Sequence, residues 1–158
     1  MGESGEPDPW SKGSRVSGYL GSFHHQVDAK GRFALPAPFR RGSESESFVL
    51  IQIHEDALSL YPHASWRPVE AELRELIRRQ PEARASILGL TASALEVLTD
   101  KQGRILIPDR MRERAGLGHE VLIVGALNKI EIWDPERFRS RTEVPDPKFD
   151  PFIESIFA

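Results

Sequence analysis

Two pairs of cations carry the chemistry that this sequence can do. Lys30 and Arg32 flank Gly31, and Lys101 and Arg104 bracket Gln102-Gly103. Cations of this kind hold phosphate oxygens, and an arginine can also pair through two N–H groups with a guanine edge. Each pair follows an aspartate, in Asp28-Ala29-Lys30-Gly31-Arg32 and Asp100-Lys101-Gln102-Gly103-Arg104. Aspartate at the head of a turn accepts backbone N–H groups on its side chain. Glycine three residues later suits a left-handed backbone, where a Cβ is strained. Asp28, Gly31, Asp100 and Gly103 are therefore turn-forming residues, and turn chemistry explains them. It does not explain two cations at each tip. A cationic hairpin can enter a DNA groove, and a two-stranded ribbon fits the major groove.

The elements that would position these tips are themselves repeated. Asp28 to Pro36 recurs as Asp100 to Pro108, an offset of 72 residues. At that offset Arg40 falls on Arg112, Val49-Leu50-Ile51 on Val121-Leu122-Ile123, Leu58 to Tyr61 on Ile130 to Trp133, and Trp66 on Phe138. A fixed period this long, used twice, indicates two copies of one small α+β module. Phe23–Val27 and Leu95–Thr99 read as strands entering each turn, and Arg32–Leu35 and Arg104–Ile107 as strands leaving it, so each copy predicts a hairpin. Pro36 and Pro108 end the second arms. A short basic helix follows in each copy, over 37–41 and 109–114, with Gly116 a C-cap candidate.

Later strands are predicted over 48–54, 58–61, 121–124 and 130–133. A helix over 62–80 shows Trp66, Val69, Leu73, Leu76 and Ile77 at helical spacing. A second helix runs from Glu82 to about Leu90. The implied organisation is an extension (1–17) without order, a first module (18–66), a helical connector (67–91), a second module (92–140) and a tail (141–158). Gly42 to Ser47 reads as a polar loop. Three prolines break the tail until Phe152, Ile153, Ile156 and Phe157, whose spacing is helical and whose apolar face would dock on the body or on a neighbour.

Composition narrows the function classes. The chain has 158 residues, no cysteine and a formal charge of −3. Disulfide frameworks and thiolate metal sites are thereby excluded. No apolar run is long enough to span a bilayer, and the first residues lack the apolar core of a secretory signal. A cytoplasmic protein is the expectation. The charge is segregated: residues 28–41 hold one acid against Lys30, Arg32, Arg40 and Arg41. Several weakly binding basic tips acting together would suit a mildly acidic chain of this kind.

The repeated Asp-x-x-Gly-Arg turns, Leu60-Tyr61-Pro62 with Trp66, and Asn128-Lys129-Ile130-Glu131-Ile132-Trp133-Asp134 resemble the MraZ family of bacterial transcription factors, over about Tyr19 to Phe138. The resemblance implies two tandem, pseudo-symmetric AbrB-like swapped-hairpin β-barrel modules with short helices. It implies a ring-shaped homo-oligomer, associated with the nucleoid. It also implies binding to repeated boxes upstream of the protein's own operon, in the division and cell-wall gene cluster. The family's DNA-reading hairpin maps onto Lys30 and Arg32 and, less completely, onto Arg104 with Lys101 one position displaced. The first copy is the better candidate reader. Tyr19-Leu20-Gly21 stands where the family has Phe-Arg-Gly.

Two other classes of function stand beside this one. An antitoxin-like or scaffold module without specific DNA binding would use Trp66, Trp133 and the apolar tail as partner surfaces, although their spacing favours core packing. An enzyme is not expected. The five histidines lack metal-ligand spacing, no phosphate loop or nucleophile motif is present, and no cofactor is implied.

Overall fold

The computed structural model describes residues 18–41 and 46–158. The N-terminal extension and most of the polar loop lie outside the described residues. Among the described residues, eight strands form two sheets. β1 (Ser22–Gln26), β3 (Ser47–His54), β4 (Ala57–Pro62), β5 (Leu95–Leu98), β7 (Glu120–Gly125) and β8 (Ile130–Trp133) make an antiparallel sheet in the order β1-β7-β8-β4-β3-β5. β2 (Arg32–Ala34) and β6 (Arg104–Leu106) pair with each other as a separate ribbon. Exchanging each strand for its repeat-mate reverses the sheet order onto itself, so a pseudo-twofold axis passes between β4 and β8.

The pairing corrects the expected hairpins. β1 does not ladder with β2. Beyond the turn the two arms part: β1 pairs with β7, and β5 pairs with β3, so each half gives its first strand to the other. The second arms, β2 and β6, meet across the axis. The repeat register also slips. Leu50 pairs with Leu60 on β4, whereas Ile123, not Leu122, pairs with Ile132 on β8. The structural mate of Leu50 is thus Ile123, at an offset of 73. A one-residue slip sends alternate side chains to the opposite face; accordingly Ile123 joins the main core and Leu122 does not.

That core lies between the sheet and the ribbon. Its centre is built of repeat-mates: Phe33 with Ile105, Leu35 with Ile107, Phe39 with Met111, and Leu58 and Leu60 with Ile130 and Ile132, all fully buried. The predicted helix after Pro36 is only a 3-10 turn, Ala37–Phe39: Pro38 disfavours a helical conformation at Ala37 before it, and Arg40 is already extended. Its mate is the expected helix α3, Asp109–Arg114, closed by Gly116 at a φ of +69°.

A smaller cluster of Val49, Ile51 and Tyr61 occupies the sheet's other face beneath α1 (His63–Arg79) and α2 (Arg84–Thr91). Tyr61 meets Trp66 edge-on at 5.5 Å, and their repeat-mates Trp133 and Phe138 meet at 5.3 Å. Phe138 belongs to α4, Pro135–Thr142, whose first turn is capped by the Asp134 carboxylate accepting from the Arg137 N–H. Both tryptophans therefore pack against the body. The tail behaves differently. It ends in α5 (Asp150–Phe157), on which Phe152, Ile153, Ile156 and Phe157 are all exposed.

Candidate nucleic-acid interface

Each turn is fixed by its aspartate in the same way. Asp28 Oδ1 accepts from the backbone N–H of Lys30 and of Arg32, both at 2.9 Å, and Oδ2 accepts from Arg32 Nε at 3.1 Å. Asp100 Oδ1 accepts from Gln102 at 2.9 Å and Arg104 at 2.8 Å, and Oδ2 from Arg104 Nε at 2.8 Å. Gly31 and Gly103 take φ values of +90° and +78°. The Arg32 backbone N–H holds the Asp28 carboxyl below its ordinary range, helped by the Lys30 N–H and the Arg32 guanidinium. Asp100 is lowered likewise, first by the Arg104 backbone N–H. Because each carboxylate engages Nε, the two terminal nitrogens of each guanidinium remain available to another acceptor.

The ribbon brings Arg32 and Arg104 together. Arg32 lies opposite Leu106, and Arg104 opposite Ala34. Directly opposed residues share a face, and so do residues two apart. Arg32, Ala34, Arg104 and Leu106 therefore form one outward face, while Phe33 and Ile105 are buried on the other. The arginines are diagonal neighbours, which places them about 7–8 Å apart at the backbone. Each guanidinium side chain is 32% exposed. A ribbon of this kind, with two arginines, an alanine and a leucine outward, has the dimensions that a major groove admits.

Lys30 and Lys101 are exposed but are not brought together. The turns sit at opposite ends of the ribbon. The Gly31 carbonyl accepts from the Ile107 N–H, and the Gly103 carbonyl from the Leu35 N–H. Leu35 is four residues beyond Gly31, so the two turns are separated by roughly 14 Å along the strand.

Two further arginines reach the turns and were not among the expected site residues. A Cβ placed on Gly103 would sit 2.6 Å from Arg40 Nη1, and one placed on Gly31 would sit 3.6 Å from Arg112 Nε. Each turn is thus touched by an arginine from the opposite half. The match of Arg40 to Arg112 in the repeat was the available signal, but sequence reads both as part of a basic helix.

A model of the family described as "MraZ protein, putative antitoxin-like" matches residues 19–87 and 90–144. The "Transcriptional regulator MraZ" of Acetivibrio thermocellus is 41% identical over 122 residues, covering 77% of this chain and 85% of that protein. The protein of the same name from Thermomicrobium roseum is 40% identical over 126 residues, with coverages of 80% and 88%. That of Desulforamulus reducens is 35% identical over 138 residues, with coverages of 87% and 96%.

Proposed function

This chain belongs to the MraZ family, and on that premise we propose that it is a sequence-specific DNA-binding transcriptional regulator. It acts in the cytoplasm, at the nucleoid, on repeated boxes upstream of its own operon in the division and cell-wall cluster. The observation that carries this reading is the outward face of the β2–β6 ribbon, where two aspartate-oriented arginines project side by side. Arg32 and Arg104 read or hold the DNA, and Lys30 and Lys101 contact phosphates on either side. The exchange of β1 and β5 between the halves supports the swapped-hairpin architecture. One ribbon offers few contacts, so affinity comes from several ribbons in a homo-oligomer. The exposed apolar face of α5 supports such self-association.

The test is a gel shift of the purified protein on its own upstream DNA and on scrambled DNA of equal length, at two salt concentrations. Tight binding to the upstream DNA alone, weakening steeply with salt, is the expected outcome. Arg32→Ala should then lower the salt slope by roughly one unit. Equal, weak binding to both DNAs would instead favour the second reading, an antitoxin-like or scaffold module, whose supporting observation is that same unpartnered face of α5.

A further inference from the structure

The two turns differ in charge at two positions. Gln102 stands in the second turn where the first has Lys30. Lys101 stands in the second turn where the first has Ala29, so on sequence alone each turn carries one lysine and one arginine. The structure adds a third cation to the second turn, from the other half of the chain. Arg40 leaves the 3-10 turn after β2 in an extended conformation and lies across Gly103, whose missing Cβ would be 2.6 Å from Nη1 and 3.0 Å from Cδ.

Its repeat-mate behaves differently, and the reason is one residue. Arg112 lies against Gly31, but its Nη2 bonds to the carboxylate of Asp109 and its side chain is only 19% exposed. The position equivalent to Asp109 in the first copy is Ala37. No carboxylate therefore tethers Arg40 there, and among the described residues no ion pair engages it. Arg40 is exposed at the tip. The second turn thus presents Lys101, Arg104 and Arg40, whereas the first presents Lys30 and Arg32 above a tied-down Arg112.

We propose that Arg40 is a phosphate-contacting residue of the second turn, donated to it by the first half of the chain. This inference rests on the DNA-binding reading. It makes the second turn at least the equal of the first. It also gives a reason for glycine at position 103 beyond backbone conformation, since any side chain there would displace the arginine.

The experiment is a fluorescence-anisotropy titration of wild type, Arg40→Ala, Arg40→Lys and Arg104→Ala across a salt series, on upstream and scrambled DNA. Arg40→Ala should lower the slope of log affinity against log salt by about one unit. It should weaken both DNAs by the same factor, because phosphate contacts carry no sequence information. Arg40→Lys, which keeps the charge, should restore the slope. Arg40→Gln serves as a second neutral variant should the alanine protein fold poorly. A wild-type slope in the neutral variants, a loss confined to the upstream DNA, or failure of the lysine to restore the slope would each overturn the assignment. If wild type itself shows no salt-dependent preference for upstream DNA, the DNA-binding reading falls first. If wild type prefers upstream DNA and Arg104→Ala weakens that binding while Arg40→Ala matches wild type, only the role of Arg40 falls.

Discussion

Replacing the two turn glycines by alanine separates backbone strain from steric conflict, because the same substitution meets different neighbours. Gly31 and Gly103 have φ values of +90° and +78°. Holding a residue with a Cβ in such a region costs about 1–3 kcal/mol at either site. The clashes differ in kind. At Gly31 the new Cβ would lie 2.7 Å from the carbonyl oxygen of Ile107, which is backbone at the end of the ribbon. The Ile107 N–H donates to the Gly31 carbonyl at 2.8 Å, so relief of the clash disturbs that pairing. At Gly103 the nearest atom is Nη1 of Arg40, the far end of a flexible side chain that can swing away. Overpacking against a fixed neighbour adds about 1–3 kcal/mol at Gly31 alone. At about 2–4 °C per kcal/mol for a chain of this size, Gly31→Ala should melt roughly 2–12 °C below Gly103→Ala. Circular-dichroism melts of the two variants at neutral pH measure this directly. The DNA readout should be complementary: Gly103→Ala displaces Arg40 and should lose about one unit of salt slope, while Gly31→Ala leaves Arg40 in place. A Gly103→Ala protein that melted as low as Gly31→Ala would refute the steric argument.

Three other outcomes follow from the same geometry. Asp28 and Asp100 have folded-state values below the ordinary carboxylate range. Their ionisation therefore stabilises the fold above that range, and the contribution is lost as pH falls through the lower folded value. The melting-temperature gap between wild type and Asp28→Asn/Asp100→Asn should be full at neutral pH and close as pH falls below the ordinary aspartate value of about 3.9; a gap that widens on acidification would contradict this. On the ribbon, Phe33→Ala should cost about 3–5 kcal/mol in a denaturant titration because the ring is fully buried, whereas Leu106→Ala on the outward face should stay within about 0.5 kcal/mol; comparable losses would mean that the faces are misassigned. Deleting Glu143 to Ala158 should reduce the molar mass seen by light scattering if α5 joins subunits, and an unchanged mass would remove α5 from that contact.

What sequence disclosed and what it concealed divide by the range of the interactions. The turns were legible because Asp28 and Gly31 act on atoms within four residues, so local chemistry settles them. Helix α1 was legible from its apolar stripe, and Gly116 from its place after α3. The partners of β1 and β5 were not. A strand's alternation identifies its buried face but not which of two similarly patterned halves supplies its neighbour, and here each first strand crosses over. The slip between β3 and β7 was hidden for a related reason. Phe48, Val49, Leu50 and Ile51 are all buried, so that strand is apolar on both faces and its pattern does not specify register. The reach of Arg40 depends on all of this, because only the meeting of β2 with β6 carries the first half's short turn over Gly103. The repeat thus conceals the site in the act of revealing the fold. Equivalent positions, Phe33 with Ile105 and Leu35 with Ile107, build the shared core and must stay similar for the halves to close. Positions at which the copies disagree, Ala29 with Lys101, Lys30 with Gln102 and Ala37 with Asp109, are free of that constraint. Those are the positions that decide which cations each turn presents.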